Sequence, residues 1–295
     1  MCQACEGAAQ LRQACDGAAQ LRPACDGGAR LRHDGAAHHR LSRRSFGRGL
    51  LAAAIAPGCL GGSAEAIVDP RMRLMLPAGA PRTVALTLDA CGGAADMRII
   101  ETLLDLSIPA TIFLTELWLR GNAPAVALLR SRGDQFSLQN HGERHMPPVL
   151  GNRRVYGLPV AGTPEAIRHE VEAGADAVAA TGAQRPHWYR GAAALYSEAA
   201  LPEIESLGFR VAAYSLNADQ GASLPAATVA ARIAQVTSGD VIIGHINQPH
   251  RPSGAGIVAG VTNLHQAGVK FVTLDTAPVS GLSCEGVRSS QFPLA

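Results

Sequence analysis

The chain is poor in aromatics, lysine and net charge. Phe, Trp and Tyr make up 4% of its 295 residues, Lys270 is its one lysine, and the formal net charge is +2. A balance so close to neutral argues against nucleic acid or a polyphosphate as the main partner. The arginine-for-lysine skew carries no functional reading. Long apolar runs are also missing: the stretch from Leu50 to Ala56 falls well short of the ~20 residues that span a bilayer as a helix. Cysteine is scarce where it would matter for a disulfide scaffold. Of seven cysteines, only Cys91 and Cys284 lie beyond residue 60. What is present is 47% hydrophobic residues against 17% charged ones, enough to bury a large core without metal or disulfides.

The first 41 residues read as low complexity. Residues 3–12, 13–22 and 23–32 repeat Gln-Ala-Cys-Glu-Gly-Ala-Ala-Gln-Leu-Arg with minor changes, a period that matches no familiar solenoid. Cys5, Cys15 and Cys25 recur because the unit recurs. Residues 42–66 then show the order of a secretory signal: Arg43-Arg44 before Phe46, the apolar run, and Ala64-Glu65-Ala66 as a small-x-small site. The paired arginines resemble a twin-arginine signal, so export to the periplasm or beyond is expected. Residues 67–295 form the expected catalytic domain. The segment up to Ala66 holds eight of the 26 Lys+Arg and five of the 24 Asp+Glu, leaving 18 against 19. No membrane span is expected in that domain.

Within it, short β-rich runs alternate with helical ones. Strands are expected at 83–88, 110–114, 135–138, 187–189, 209–215, 240–244 and 270–274. Helices are expected at 96–106, with Asp96 as its cap, and at 123–131, 163–181, 197–207, 226–236 and 257–267. Repeated β-then-α implies a mostly parallel sheet. The expected fold is α/β, a distorted, incomplete (β/α) barrel of about seven parallel strands.

Polar residues then fall at strand exits. Asp89 follows the first strand, His141 and His145 the third, and Arg190 the fourth; Asp219 lies just past the fifth and His245 directly follows the sixth. Parallel barrels build active sites on their carboxyl rim, so these exits point to one shared site. Two imidazoles four residues apart can ligate one borderline-soft cation. Singly, each residue also has a plain reading, as a buried histidine satisfied by backbone or an aspartate capping a helix.

The order Thr87-Leu88-Asp89, His141-x-x-x-His145-Met146-Pro147, Arg190, Asn217-Ala218-Asp219 and Ile243-Gly244-His245 resembles the five motifs of the polysaccharide deacetylases, the chitooligosaccharide-deacetylase type of carbohydrate esterase. The resemblance runs from about Thr83 to Leu274. It implies metal-assisted removal of an N-acetyl group from an amino-sugar glycan. By the resemblance, Asp89 is the general base, Arg190 holds it, His141 and His145 bind a divalent ion such as zinc, and His245, tuned by Asp219, protonates the leaving amine. A backbone N–H near Cys91-Gly92 would add an oxyanion donor, and Tyr214 and Asn247 are candidate substrate contacts, although Tyr214 at a strand position reads equally as core and Asn247 equally as a loop holder. The chain departs from the family where a second aspartate is usual: Ala90 stands there. The third metal ligand is then Asp89, Asn140 or Glu143, an extra water, or the thiolate of Cys91. Two further readings stay open: a glycan-binding barrel without catalysis, and a metal-independent hydrolase of small amides.

Overall fold

The computed structural model describes residues 66–287; the repeat segment, and all of the signal-like segment but Ala66, lie outside these residues. The central sheet is parallel throughout. Its strands are β1 (Thr83–Ala90), β2 (Ala110–Leu114), β3 (Phe136–Asn140), β4 (Trp188–Tyr189), β5 (Arg210–Val211), β6 (Leu216–Asn217), β7 (Val241–His245) and β8 (Lys270–Val272). The order is β6-β7-β1-β2-β3-β4-β5, and β8 adds to β1. Neighbouring strands all pair in parallel. The curl stays open between β5 and β6, which belong to one short stretch of chain. There Met72 N donates to Tyr214 O at 3.2 Å. The expected incomplete barrel is the observed one.

Among the described residues seven α-helices flank the sheet: α1 (Met97–Asp105), α2 (Glu116–Gly121), α3 (Ala123–Ser131), α4 (Pro164–Ala180), α5 (Ala200–Ser206), α6 (Ala226–Ala234) and α7 (Ser253–Gln266). β1 is buried at every position, as a strand covered on both faces must be. Its alternate residues divide cleanly. Val84, Leu86, Leu88 and Ala90 join the apolar layer that packs under the helices with Ile99, Leu103, Ile233 and Val261. Ala85 joins the barrel interior with Phe113, Trp188 and Ile243. By the period of two, Thr87, Asp89 and Cys91 continue on that interior side.

The expected elements differ from the observed ones mainly at their ends. Residues 209–215 hold only the two residues of β5, because the chain bends before β6. α2 and a small hairpin, Arg154–Val155 with Leu158–Pro159, were not expected. A three-stranded antiparallel sheet of Ser283–Val287, Ile67–Arg71 and Tyr196–Ser197 lies beside the barrel. Asp96 occupies the N-cap position of α1 but makes no capping bond. Its carboxylate instead takes two bonds from Arg98, at 2.8 and 2.6 Å. Thr163 does cap α4, its hydroxyl accepting from Ala166 N at 3.2 Å. No described helix is long and apolar enough to cross a membrane.

Candidate active site

The carboxyl ends of β1, β3, β4 and β7 meet around a cleft of about 680 Å³. Asp89, Cys91, His141, His145, Tyr214 and His245 all line it. Asp89 is 3% exposed and Arg190 is wholly buried beneath it. Arg190 Nη1 donates to Asp89 Oδ1 at 2.8 Å and to Thr87 Oγ1 at 2.9 Å. The rest of the guanidinium is used on Ala212 O and Ala213 O, and its plane lies 4.3 Å over the Phe113 ring. One carboxylate oxygen is thereby anchored. The other, Oδ2, stands 3.8 Å from His141 Nε2. Burial raises the Asp89 carboxyl, but the charges of Arg190, His141 and His245 and the Arg190 bond outweigh it, so it is held below the usual range.

His141 is oriented by its other nitrogen. Nδ1 lies 2.7 Å from Arg190 O. A carbonyl only accepts, so Nδ1 carries a proton and Nε2 is the nitrogen turned to the cleft. His145 follows four residues on, its ring 4.9 Å from that of His141. Its backbone has φ of 60°, an uncommon conformation for a residue with a Cβ, and the surrounding loop holds it there. The carboxylate of Glu170, on α4, accepts from Arg144 N at 3.0 and 3.1 Å and from Met146 N at 3.0 Å. Asn140 Oδ1 accepts from Gly142 N at 2.8 Å while its amide donates to Val171 O at 2.7 Å. At Gly142, φ is 93° and a Cβ would lie 2.4 Å from Glu170 Oε1, so only glycine fits. Neither Glu170 nor the packing of Gly174 against this loop was foreseen from the sequence.

On the opposite side, His245 Nδ1 donates to Asp219 Oδ1 at 2.8 Å, and His245 N donates to Asp219 Oδ2 at 2.8 Å. Burial lowers the imidazole's pKa, yet the buried Asp219 charge and its bond outweigh this and push it well above the ordinary histidine value. The pairing favours the imidazolium form of His245, and the bond from Nδ1 to Asp219 turns Nε2 away from that carboxylate.

The loop after β1 is pinned at four successive carbonyls. Thr115 Oγ1 donates to Ala90 O at 3.2 Å and Cys91 O at 2.7 Å, Asn247 Nδ2 to Gly92 O at 2.5 Å, and Asn122 Nδ2 to Gly93 O at 2.9 Å. Of the two readings of Asn247, the structure supplies the loop-holding one: it is buried rather than at the rim. Tyr214 lines the cleft, but its hydroxyl donates to Asp69 Oδ2 at 3.1 Å. Trp188 and Tyr189 are core; His250 and His265 are exposed. Tyr156, 74% exposed at the tip of the hairpin, also borders the cleft. No strand or helix period marked it.

Among the described residues, one group has the makings of a metal site: donor atoms of Cys91, His141 and His145 lie within 4.8 Å of one another. His145 Nε2 is buried without a hydrogen-bond partner, the condition of a ligand awaiting an ion. The residues therefore fit a divalent cation. Of the alternative third ligands, Asn140 is occupied in the bonds above, and Glu143 stands outside the group, its Oε2 3.1 Å from His169 Nε2. Ala90 faces the apolar layer. Cys91 is a free thiol, so it does not pair with Cys284.

No curated protein sequence matches the chain. Solved structures do match its fold. A peptidoglycan N-acetylglucosamine deacetylase superposes with a TM-score of 0.58 at 18% identity, over 70% of this chain and 91% of that one. A family 4 carbohydrate esterase from Streptomyces lividans gives 0.52 at 17%, over 65% and 93%. A pseudoenzyme of the same family from Bacillus anthracis gives 0.52 at 15%, over 66% and 64%; the chain thus spans just under two thirds of that protein's length. Residues 77–212 match the polysaccharide deacetylase family model. Over those residues the chain is similar to the polysaccharide deacetylases, and its fold is the one these solved structures share.

Proposed function

We propose that the domain hydrolyses N-acetyl groups from an amino-sugar glycan, with a divalent ion, zinc by its donor set, held at His141 and His145. The observation that carries this reading is the division of labour at Asp89: Oδ1 is fixed by Arg190 and Oδ2 is left toward His141. When bound, the ion supplies Lewis-acid polarisation of the acetyl carbonyl. Asp89 Oδ2 takes a proton from the attacking water as the new C–O bond forms. Arg190 keeps that carboxylate ionised and in place. His245 Nε2–H gives its proton to the amide nitrogen as the C–N bond breaks, and Asp219 stabilises the imidazolium until then. Acetate and a free amino sugar result. The order of pKa directions suits these roles, an acid held protonated opposite a base held ionised.

The sequence over 42–66 supports export by the twin-arginine route, which would bring the domain to cell-wall or exported glycans. The test is acetate release from N-acetylglucosamine oligomers and from peptidoglycan by the purified protein. Release should stop with a chelator, return with zinc, and fall ~10²–10⁴-fold in Asp89→Asn. Release that survives complete chelation would replace this reading with metal-independent chemistry. The apolar setting of Ala90, where the resemblance calls for a ligand, favours one other reading, a glycan-binding barrel without turnover. That reading predicts oligomer binding equal in Asp89→Asn and no acetate.

A further inference from the structure

We infer that Cys91 is the third protein ligand of this metal site, so that the ion is held by one thiolate and two imidazoles. The inference rests on the deacetylase reading only for what the ion does; the ligand set stands on geometry. Alternation along β1 turns Asp89 and Cys91 to the barrel interior and Ala90 to the apolar layer. A ligand lost at position 90 can thus be supplied one residue later from the site's own face.

The separation is that of two ligands on one ion. Cys91 Sγ lies 3.5 Å from His141 Nε2. Zn–S of ~2.3 Å and Zn–N of ~2.0 Å at a tetrahedral angle require about 3.5 Å. His141 already turns Nε2 to the cleft, its Nδ1–H fixed by Arg190 O. One ring nitrogen of His145 is the third donor; the Nε2 of that ring is buried and lacks a hydrogen-bond partner, and its loop is held on both sides by Glu170. The anchored carbonyls of residues 90–93 keep the thiol from swinging away. Three protein donors would leave a four-coordinate ion one position for water or substrate. A soft thiolate in the set favours zinc or cobalt over magnesium or manganese.

Cobalt(II) titration of the purified full chain tests this. The wild type should bind one equivalent with a near-ultraviolet thiolate-to-cobalt charge-transfer band. Cys91→Ser should lose the band and weaken binding by more than the ~10–100-fold typical of an outer-shell partner. Cys91→Asp should recover affinity without the band. Thermal unfolding of the metal-free variants confirms that each is folded. Wild-type cobalt binding without the band, or unchanged affinity in Cys91→Ser, overturns the inference while acetate release leaves the deacetylase reading intact. A band in a protein that releases no acetate supports the ligand and overturns that reading. Acetate release that survives chelation yet vanishes in Cys91→Ser would make Cys91 a nucleophile and overturn both.

Discussion

Arg190 shows how much of the site depends on one side chain. Its guanidinium is wholly buried and is matched by a single carboxylate, Asp89, with backbone carbonyls and Thr87 taking the remaining donors. Removing one member of a buried ion pair strands the other, at a cost of ~3–5 kcal/mol. Arg190→Met should therefore lower the denaturant midpoint and let Asp89 protonate at higher pH, moving the acid limb of the activity profile upward. Adding Asp89→Leu to Arg190→Met should regain much of the lost stability without regaining activity. Additive losses in chemical denaturation would show that the two side chains are not coupled.

At the scale of elements, α4 is the support for the histidine loop. Gly174 has no room for a Cβ, which would meet Gly142 C at 2.5 Å and Asn140 Oδ1 at 2.4 Å. Gly174→Ala should push the loop off the helix and lower metal affinity ~10–100-fold, as an outer-shell defect does, with the helix content by circular dichroism unchanged. Calorimetric titration with zinc reads the difference. The hairpin offers a second case. Tyr156 stands at its turn with φ of 50°, followed by Gly157 at 80°, which aims an aromatic along the cleft edge. Tyr156→Ala should raise KM for longer oligomers and leave kcat on the shortest substrate within about twofold, because a sugar face stacked there lies away from the reacting bond. Equal effects on all chain lengths would remove the platform role. These two elements also mark what the sequence could reveal. Apolar periods located β2 and α3 at their observed bounds, and polar residues at strand exits located Asp89, His141, Arg190 and His245. Glu170 was not visible because its partners are backbone amides of residues 144 and 146, brought to it only by tertiary packing. The hairpin was missed because Val155-Tyr156-Gly157-Leu158 lacks the Asn-Gly or Asp-Gly signal. Cys91 stood as one of several third ligands because sequence alone does not show which way Ala90 points.

At the scale of the whole molecule, the site joins four strand ends that are far apart in the chain, so its charges couple local chemistry to global stability. Asp89 is held below 3.8 in the fold. Its contribution is present above 3.8 and is lost as pH falls through its lower folded value. His245 is raised well above 6.5. Its contribution is complete below 6.5 and is lost as pH rises through the raised folded value. Burial of Glu170 and Asp69 acts the other way on the acid side, raising both, so part of the stability is lost as pH climbs past the ordinary carboxylate range and those groups ionise. The metal-free protein should then be most stable in mild acid and soften on the alkaline side. Asp219→Asn isolates the alkaline arm: with the carboxylate charge gone, His245 loses its main support as an imidazolium. Its thermal midpoint should fall below wild type at pH 6 and converge on it above the raised His245 value. A midpoint difference that stays constant from pH 6 into the alkaline range would mean that Asp219 supports the fold through its bond to His245 N and not through the charge of the ring.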